Sequence, residues 1–233
     1  MKKLKKNNLK AGTEPEIDID FEDILSKTNG GVEDAMLLKD RTIMVEGEID
    51  YFHLKSIVAK STYLINKDDK APIKIFICSS GGSIDAGMAI YDFMRNTKTP
   101  IYTVGSGMCA SMSAILLMAG KKRYVYPHTS IMLHRIWGSV NGDQTVIEQR
   151  SSWIKKQQEI FMKIMTKHTN KSTAALTKDL SNNEFWLDAK KALSYGMIDE
   201  IIGVKSQTIK KSSSRSSTHR RKAVKKTARI NKK

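Results

Sequence analysis

Residues 105–120 read GSGMCASMSAILLMAG. A short apolar strand, Ile101 to Val104, leads into this stretch, and the spacing predicts a turn of Gly, Ser and Ala followed by an apolar helix from Ser111 to Ala119. Strand, small-residue turn and buried helix together lift one polar side chain to the end of a sheet. The helix N-terminus adds unpaired N–H groups and a positive dipole end, which favour developing negative charge. Ser111 and Ser113 are the polar groups there, and Ser111 falls at the junction. Taken alone, the segment is read more simply, with Ser111 as a small helix-capping residue.

Outward from this stretch the pattern repeats. Ile73 to Ile77 reads as a strand, CSSGG as a turn, and Ser83 to Asn96 as a helix whose Ile84, Gly87, Met88, Tyr91 and Met94 share one face. Gly81 and Gly82 can take positive φ and bring bare backbone close to a ligand. Two successive strand–turn–helix units imply a parallel sheet with right-handed crossovers, and the two turns meet at one sheet edge. Further strands are expected at Arg41 to Gly47, Arg123 to Tyr126 and Ser130 to His134, and a helix at Asp50 to Ile65. Thr145 to Lys167 reads as a long helix with the stripe Val146/Ile147, Trp153/Ile154, Ile160/Phe161 and Ile164/Met165. That spacing suits packing along the chain's own core or against a partner subunit. Near the end, Asp188 suits an N-cap and Gly196 a C′ position.

The 233 residues suffice for one domain with a sizeable core, or for two small ones. The net charge of +16 resembles a nucleic-acid signature until it is located. Residues 1–10 hold five Lys and no acid, and residues 204–233 hold twelve Lys and Arg and no acid. The remaining body carries 23 basic against 24 acidic residues, so the excess belongs to the tails. Residues 1–18 read as a flexible arm, 19–203 as the folded body, and 204–233 as a basic, disordered tail. The longest apolar run, Ala114 to Ala119, is too short to span a bilayer, and no apolar stretch follows the basic N-terminus. Two cysteines, Cys78 and Cys109, point to a soluble protein of a reducing, cytoplasmic compartment, with an organelle or the nucleus as alternatives. Cys109 is a rival nucleophile two residues before Ser111. No metal-ligand spacing is present, and no cofactor or metal is expected.

In order and spacing, IFICSSGGSIDAGMAIYD, GMCASMSAILLMAG, SIMLHR and DAKKALSYGMIDEI resemble the Clp serine peptidase family, the proteolytic subunits of ATP-dependent Clp proteases. The likeness spans roughly residues 38–203. It implies an α/β fold of the Clp/crotonase type, a spiral of strand-strand-helix units with a protruding strand-and-helix handle. It also implies a serine endopeptidase acting on unfolded polypeptides inside stacked heptameric rings of this chain, fed by an AAA+ unfoldase that uses the ATP. By the same resemblance Ser111 is the nucleophile, His134 the general base, and the N–H groups of Gly82 and Met112 the oxyanion hole. The residues agree with these roles. A serine hydroxyl needs a base to take its proton, and histidine suits that at neutral pH. His53, His128, His168 and His219 lack such company and read as structural or solvated.

The sequence departs from the family pattern at Ser80, where proline is usual, and at Ser113, where glycine is usual. The N-terminal arm does not match the family's axial loop. For the third triad member, counting back from Tyr195 and Gly196 selects Glu184, and counting forward from His168 and Thr169 selects Asn183. Glu184 is preferred, because a carboxylate stabilises an imidazolium more than an amide does. The registers differ by one residue, which places a small insertion between Asp179 and Trp186. Three other functions are weighed against a peptidase: an idle structural subunit of a ring, an acyl-CoA enzyme of the crotonase group, and a nucleic-acid or polyanion binder acting through the basic tail.

Overall fold

The computed structural model describes residues 31–181 and 183–204. The N-terminal arm and nearly all of the basic tail lie outside the described residues. Helix α1 (Gly31–Lys39) precedes strand β1 (Thr42–Ile49) and helix α2 (Tyr51–Lys67). Then come β2 (Ile73–Gly82), α3 (Ile84–Asn96), β3 (Ile101–Ala110), α4 (Met112–Ala119), β4 (Lys122–Val125) and β5 (Ser130–His134). The long helix α5 (Gln144–His168), α6 (Thr173–Asp179), β6 (Glu184–Leu187), α7 (Ala189–Tyr195) and β7 (Glu200–Ile201) follow among the described residues.

The sheet runs β1-β2-β3-β4-β7, all parallel, and β3 forks. Its first half, Tyr102 to Gly105, pairs with β4, and its last residues, Met108 to Ala110, pair with β5. Among the described residues the one antiparallel pair is β5 with β6. This is the mixed α/β arrangement of mostly parallel strands that the repeats imply. One expectation differs. CSSGG and residues 105–110 are not turns; β2 and β3 continue through them, and Ser79 pairs with Cys109 across a register shift. Glycine and serine are poor strand formers alone, but here Ser79 pairs with Cys109 and Gly105 with Ile77, while Gly81 and Gly82 pair with Glu48 and Ile49 of β1. The chain turns only at Ser111. In the handle, the helix forms as α5, whereas residues 135–143 form no strand.

The core lies between the sheet and the helices. All eight residues of α4 are buried, so this helix needs no polar face. Ile73, Ile75 and Ile77 of β2 lie beneath it, each with no exposed surface. Burying such a side chain contributes about 1.5–3 kcal/mol. The stripe of α5 divides. Phe161, Ile164 and Met165 are buried, while Ile147, Trp153 and Ile160 are exposed.

Helices α3 and α5 are joined by a partly buried polar contact. Tyr91 Oη lies 2.8 Å from His168 Nε2, with the rings edge to face. Burial, and then Arg95, Arg123 and Lys167, push the imidazole down to about 4. His168 is therefore neutral in the fold and charges in the unfolded chain near its ordinary value of about 6.5. Between those values the unfolded state binds more protons, so stability rises with pH there. His168→Gln should flatten that slope. Urea midpoints at pH 7, 5.5 and 4.5 check it, and parallel slopes for the two proteins count against it.

Candidate active site

The site is built at the end of β3. Ser111 takes φ 55 and ψ −122, a conformation that L-residues adopt rarely. It stands at the N-cap of α4, yet its hydroxyl makes no capping bond. Instead Ser111 Oγ lies 2.7 Å from His134 Nε2. The simple capping role is thus not the one its side chain takes. With the imidazole proton on Nδ1, the hydroxyl donates to Nε2.

Three contacts fix this elbow. Ser111 N–H donates to Met132 O at 2.8 Å, within the β3–β5 pairing that also sets the position of His134 two residues on. Gly81, at φ +105, packs so closely that a Cβ there would fall 2.7 Å from Ser111 Cβ and 2.9 Å from Ala110 O. Ser113 Oγ lies 2.7 Å from Ser79 O and 2.8 Å from Ala110 O, tying α4 to both strands. Ser113 is buried and committed to these bonds. The sequence marks Ser113 as a polar group at the helix N-terminus and as a departure from the family pattern, and a serine in an all-apolar buried helix also signals a carbonyl to be satisfied.

Ser111, His134, Gly82 and Met112 all line one cavity of about 440 Å³. Gly82 takes φ +146 against β1, where a Cβ would meet Ile49 O at 2.3 Å. Met112 opens α4, where the first N–H groups have no intrahelical acceptor. Ile84, Ile115, Ile136, Phe161 and Met165 give this cavity an apolar wall. Phe161 and Met165 come from α5, an element the sequence assigned only to packing. Cys109 is not in this wall. It is buried, its thiol donates to Ile77 O at 3.4 Å, and burial pushes it up to about 12. Its position does not suit a nucleophile.

The acid candidates separate clearly. Asp179 Oδ2 accepts from Tyr195 Oη at 2.6 Å. Glu184 is the ladder partner of His134 in the β5–β6 pairing. Its Oε2, however, accepts from Trp186 Nε1 at 2.9 Å. Asn183 precedes it at φ 58. His134, Asn183 and Glu184 line a second cavity of about 580 Å³. Among the described residues, no hydrogen bond reaches His134 Nδ1. No group of three or more His, Cys, Asp or Glu among the described residues is arranged to hold a metal. No helix among them is long and apolar enough to cross a membrane.

A paired serine and histidine at a strand–helix elbow, beside a helix N-terminus and a cavity with an apolar wall, form an arrangement for acyl transfer. A family model described as Clp protease matches residues 31–205, most of the chain. The chain belongs to the Clp protease family.

Proposed function

We propose that this member of a peptidase family is a serine endopeptidase with Ser111 as nucleophile and His134 as general base. The observation that carries the reading is the 2.7 Å contact between Ser111 Oγ and His134 Nε2 at a backbone elbow. Oγ attacks the scissile carbonyl carbon while His134 takes the hydroxyl proton. The carbonyl oxygen gains the negative charge and accepts from the N–H groups of Gly82 and Met112. The imidazolium then gives its proton to the leaving amine, and the C–N bond breaks. Water, activated by the same histidine, releases the acyl group from Ser111. The apolar wall receives an apolar side chain of the substrate. Glu184 is the acid that orients His134 and stabilises the imidazolium.

Rings, an AAA+ unfoldase that spends the ATP, and unfolded polypeptide substrates complete this reading, through family membership. The exposed Ile147, Trp153 and Ile160 on α5 offer a surface for assembly. The second reading is an idle ring subunit. It is favoured by one observation, the engagement of Glu184 with Trp186 and not with His134. An acyl-CoA enzyme would share the oxyanion donors but has no need of the serine–histidine pair. Binding of nucleic acid or another polyanion would fall to the basic tail, which lies outside the described residues.

Three outcomes follow from this reading. A fluorophosphonate probe should label Ser111, and Ser111→Ala should lose both labelling and peptide hydrolysis. Turnover retained in that variant would rule out the serine mechanism. Glu184→Gln should lower kcat on a fluorogenic peptide by about 10²–10⁴-fold. Asp179→Asn should act on stability instead, because Asp179 is tied to Tyr195. A collapse of kcat in Asn183→Ala alone would transfer the role to Asn183. Trp153→Glu should shrink the assembly in light scattering while leaving the fold intact, whereas a buried position such as Phe161 would not separate the two effects. An unchanged mass would remove α5 from the interface.

A further inference from the structure

We propose that Trp186 is a positioning residue whose indole N–H competes with His134 for the carboxylate of Glu184, so that the chain at rest holds its acid off the histidine. The inference rests on the reading of Glu184 given above.

The geometry comes from the β5–β6 ladder. His134 stands opposite Glu184, and Met132 stands opposite Trp186. Residues directly opposite in an antiparallel pair share a face, with Cβ atoms about 4.5–5.5 Å apart. Residues two apart on one strand also share a face. His134, Glu184 and Trp186 therefore stand on one side of the ladder, with Glu184 within reach of both neighbours. Its Oε2 accepts from Trp186 Nε1 at 2.9 Å. Nε2 of His134 is taken by Ser111, and among the described residues Nδ1 has no hydrogen-bond partner. The cavity of about 580 Å³ bounded by His134, Arg135, Asn183 and Glu184 gives the carboxylate room to swing.

Trp186 does not need this contact in order to fold. Its side chain is 47% exposed, so water can satisfy the indole N–H. The competition also has a direction. Against a neutral imidazole, the indole and Nδ1–H are both neutral donors. Once His134 takes the serine proton, Nδ1–H becomes a charged donor, and a charge-assisted bond to the carboxylate is roughly twice as strong. The acid therefore shifts to His134 as the imidazolium forms, and leaving Trp186 adds to the barrier. The charged groups facing His134 are Glu48 and Arg135 in the wall of the first cavity and Arg135 and Glu184 in the second.

Trp186→Phe keeps an aromatic ring and removes the donor. The experiment compares wild type, Trp186→Phe, Glu184→Gln and the double variant in the full chain. In Trp186→Phe, kcat on a fluorogenic peptide should rise about 3–10-fold, and the acid limb of the kcat/KM profile should move to higher pH, because a carboxylate on the imidazole favours its charged form. The Nδ1–H proton resonance of His134 should move downfield as the carboxylate arrives. Both changes should vanish in the Glu184→Gln background, where a purely structural effect of the indole would persist. Trp186→Leu should behave as Trp186→Phe does, and it serves if that variant fails to fold. An unmoved resonance together with unchanged kcat, or a gain that survives Glu184→Gln, overturns the proposal. A shifted resonance in chains that never hydrolyse peptide supports it and overturns the peptidase reading instead.

Discussion

Ser111 is held at φ 55 and ψ −122, and much of the fold is arranged around that one residue. Such backbone costs about 1–3 kcal/mol and persists only where its surroundings over-determine it. Here they do. The N–H of Ser111 is bonded into the β3–β5 edge, and its carbonyl accepts from Ala114 N–H at 3.1 Å. The following helix buries all eight of its residues. Burying several large apolar side chains there outweighs the strain of one residue by a wide margin. The glycine at position 81 is a condition of the same elbow, because any Cβ there would collide with Ser111.

The strained turn would be of little use if β3 had one partner along its whole length. Because β3 forks, its first half is anchored by β4 and its last residues are free to pair with β5. That pairing sets Ala110 beside Met132, so His134, two residues further along β5, falls on the same face as Met132 and reaches the hydroxyl. Strand β2 contributes from the other side. Its glycines pass between β1 and the elbow, where backbone alone fits. Three separate stretches of sequence thus meet through ladder registers and not through flexible loops. The 2.7 Å contact is accordingly a property of the sheet.

Much of this was legible because each piece is local. The apolar run after Ser111, the double glycine and the strand ending in His134 each announce an element and its end. The small-residue segments read as turns for an equally physical reason. Gly and Ser lack intrinsic strand preference, and nothing in residues 78–82 alone reveals that Ser79 will pair with Cys109 or Gly81 and Gly82 with Glu48 and Ile49. The cavity contribution of Phe161 and Met165 was hidden because helical spacing marks a buried face without saying what that face lines. Residues 135–143 carry no ladder of their own in the single chain, so the strand half of the handle has no local support.

The acid position shows where sequence reasoning stops. Counting gave two registers one residue apart, and in a strand a shift of one residue sends the side chain to the opposite face. The β5–β6 ladder places Glu184, not Asn183, opposite His134. Yet the ladder fixes only where the Cβ stands. Glu has one more rotatable bond than Asp, and the nearest donor on its own strand is the indole two residues away. A shorter aspartate at this position would reach that indole less readily. The extra methylene of Glu184 is therefore what lets the carboxylate turn aside to the indole. On the proposed mechanism, whether the carboxylate faces the indole or the imidazole depends on the charge that His134 takes up when it accepts the serine proton.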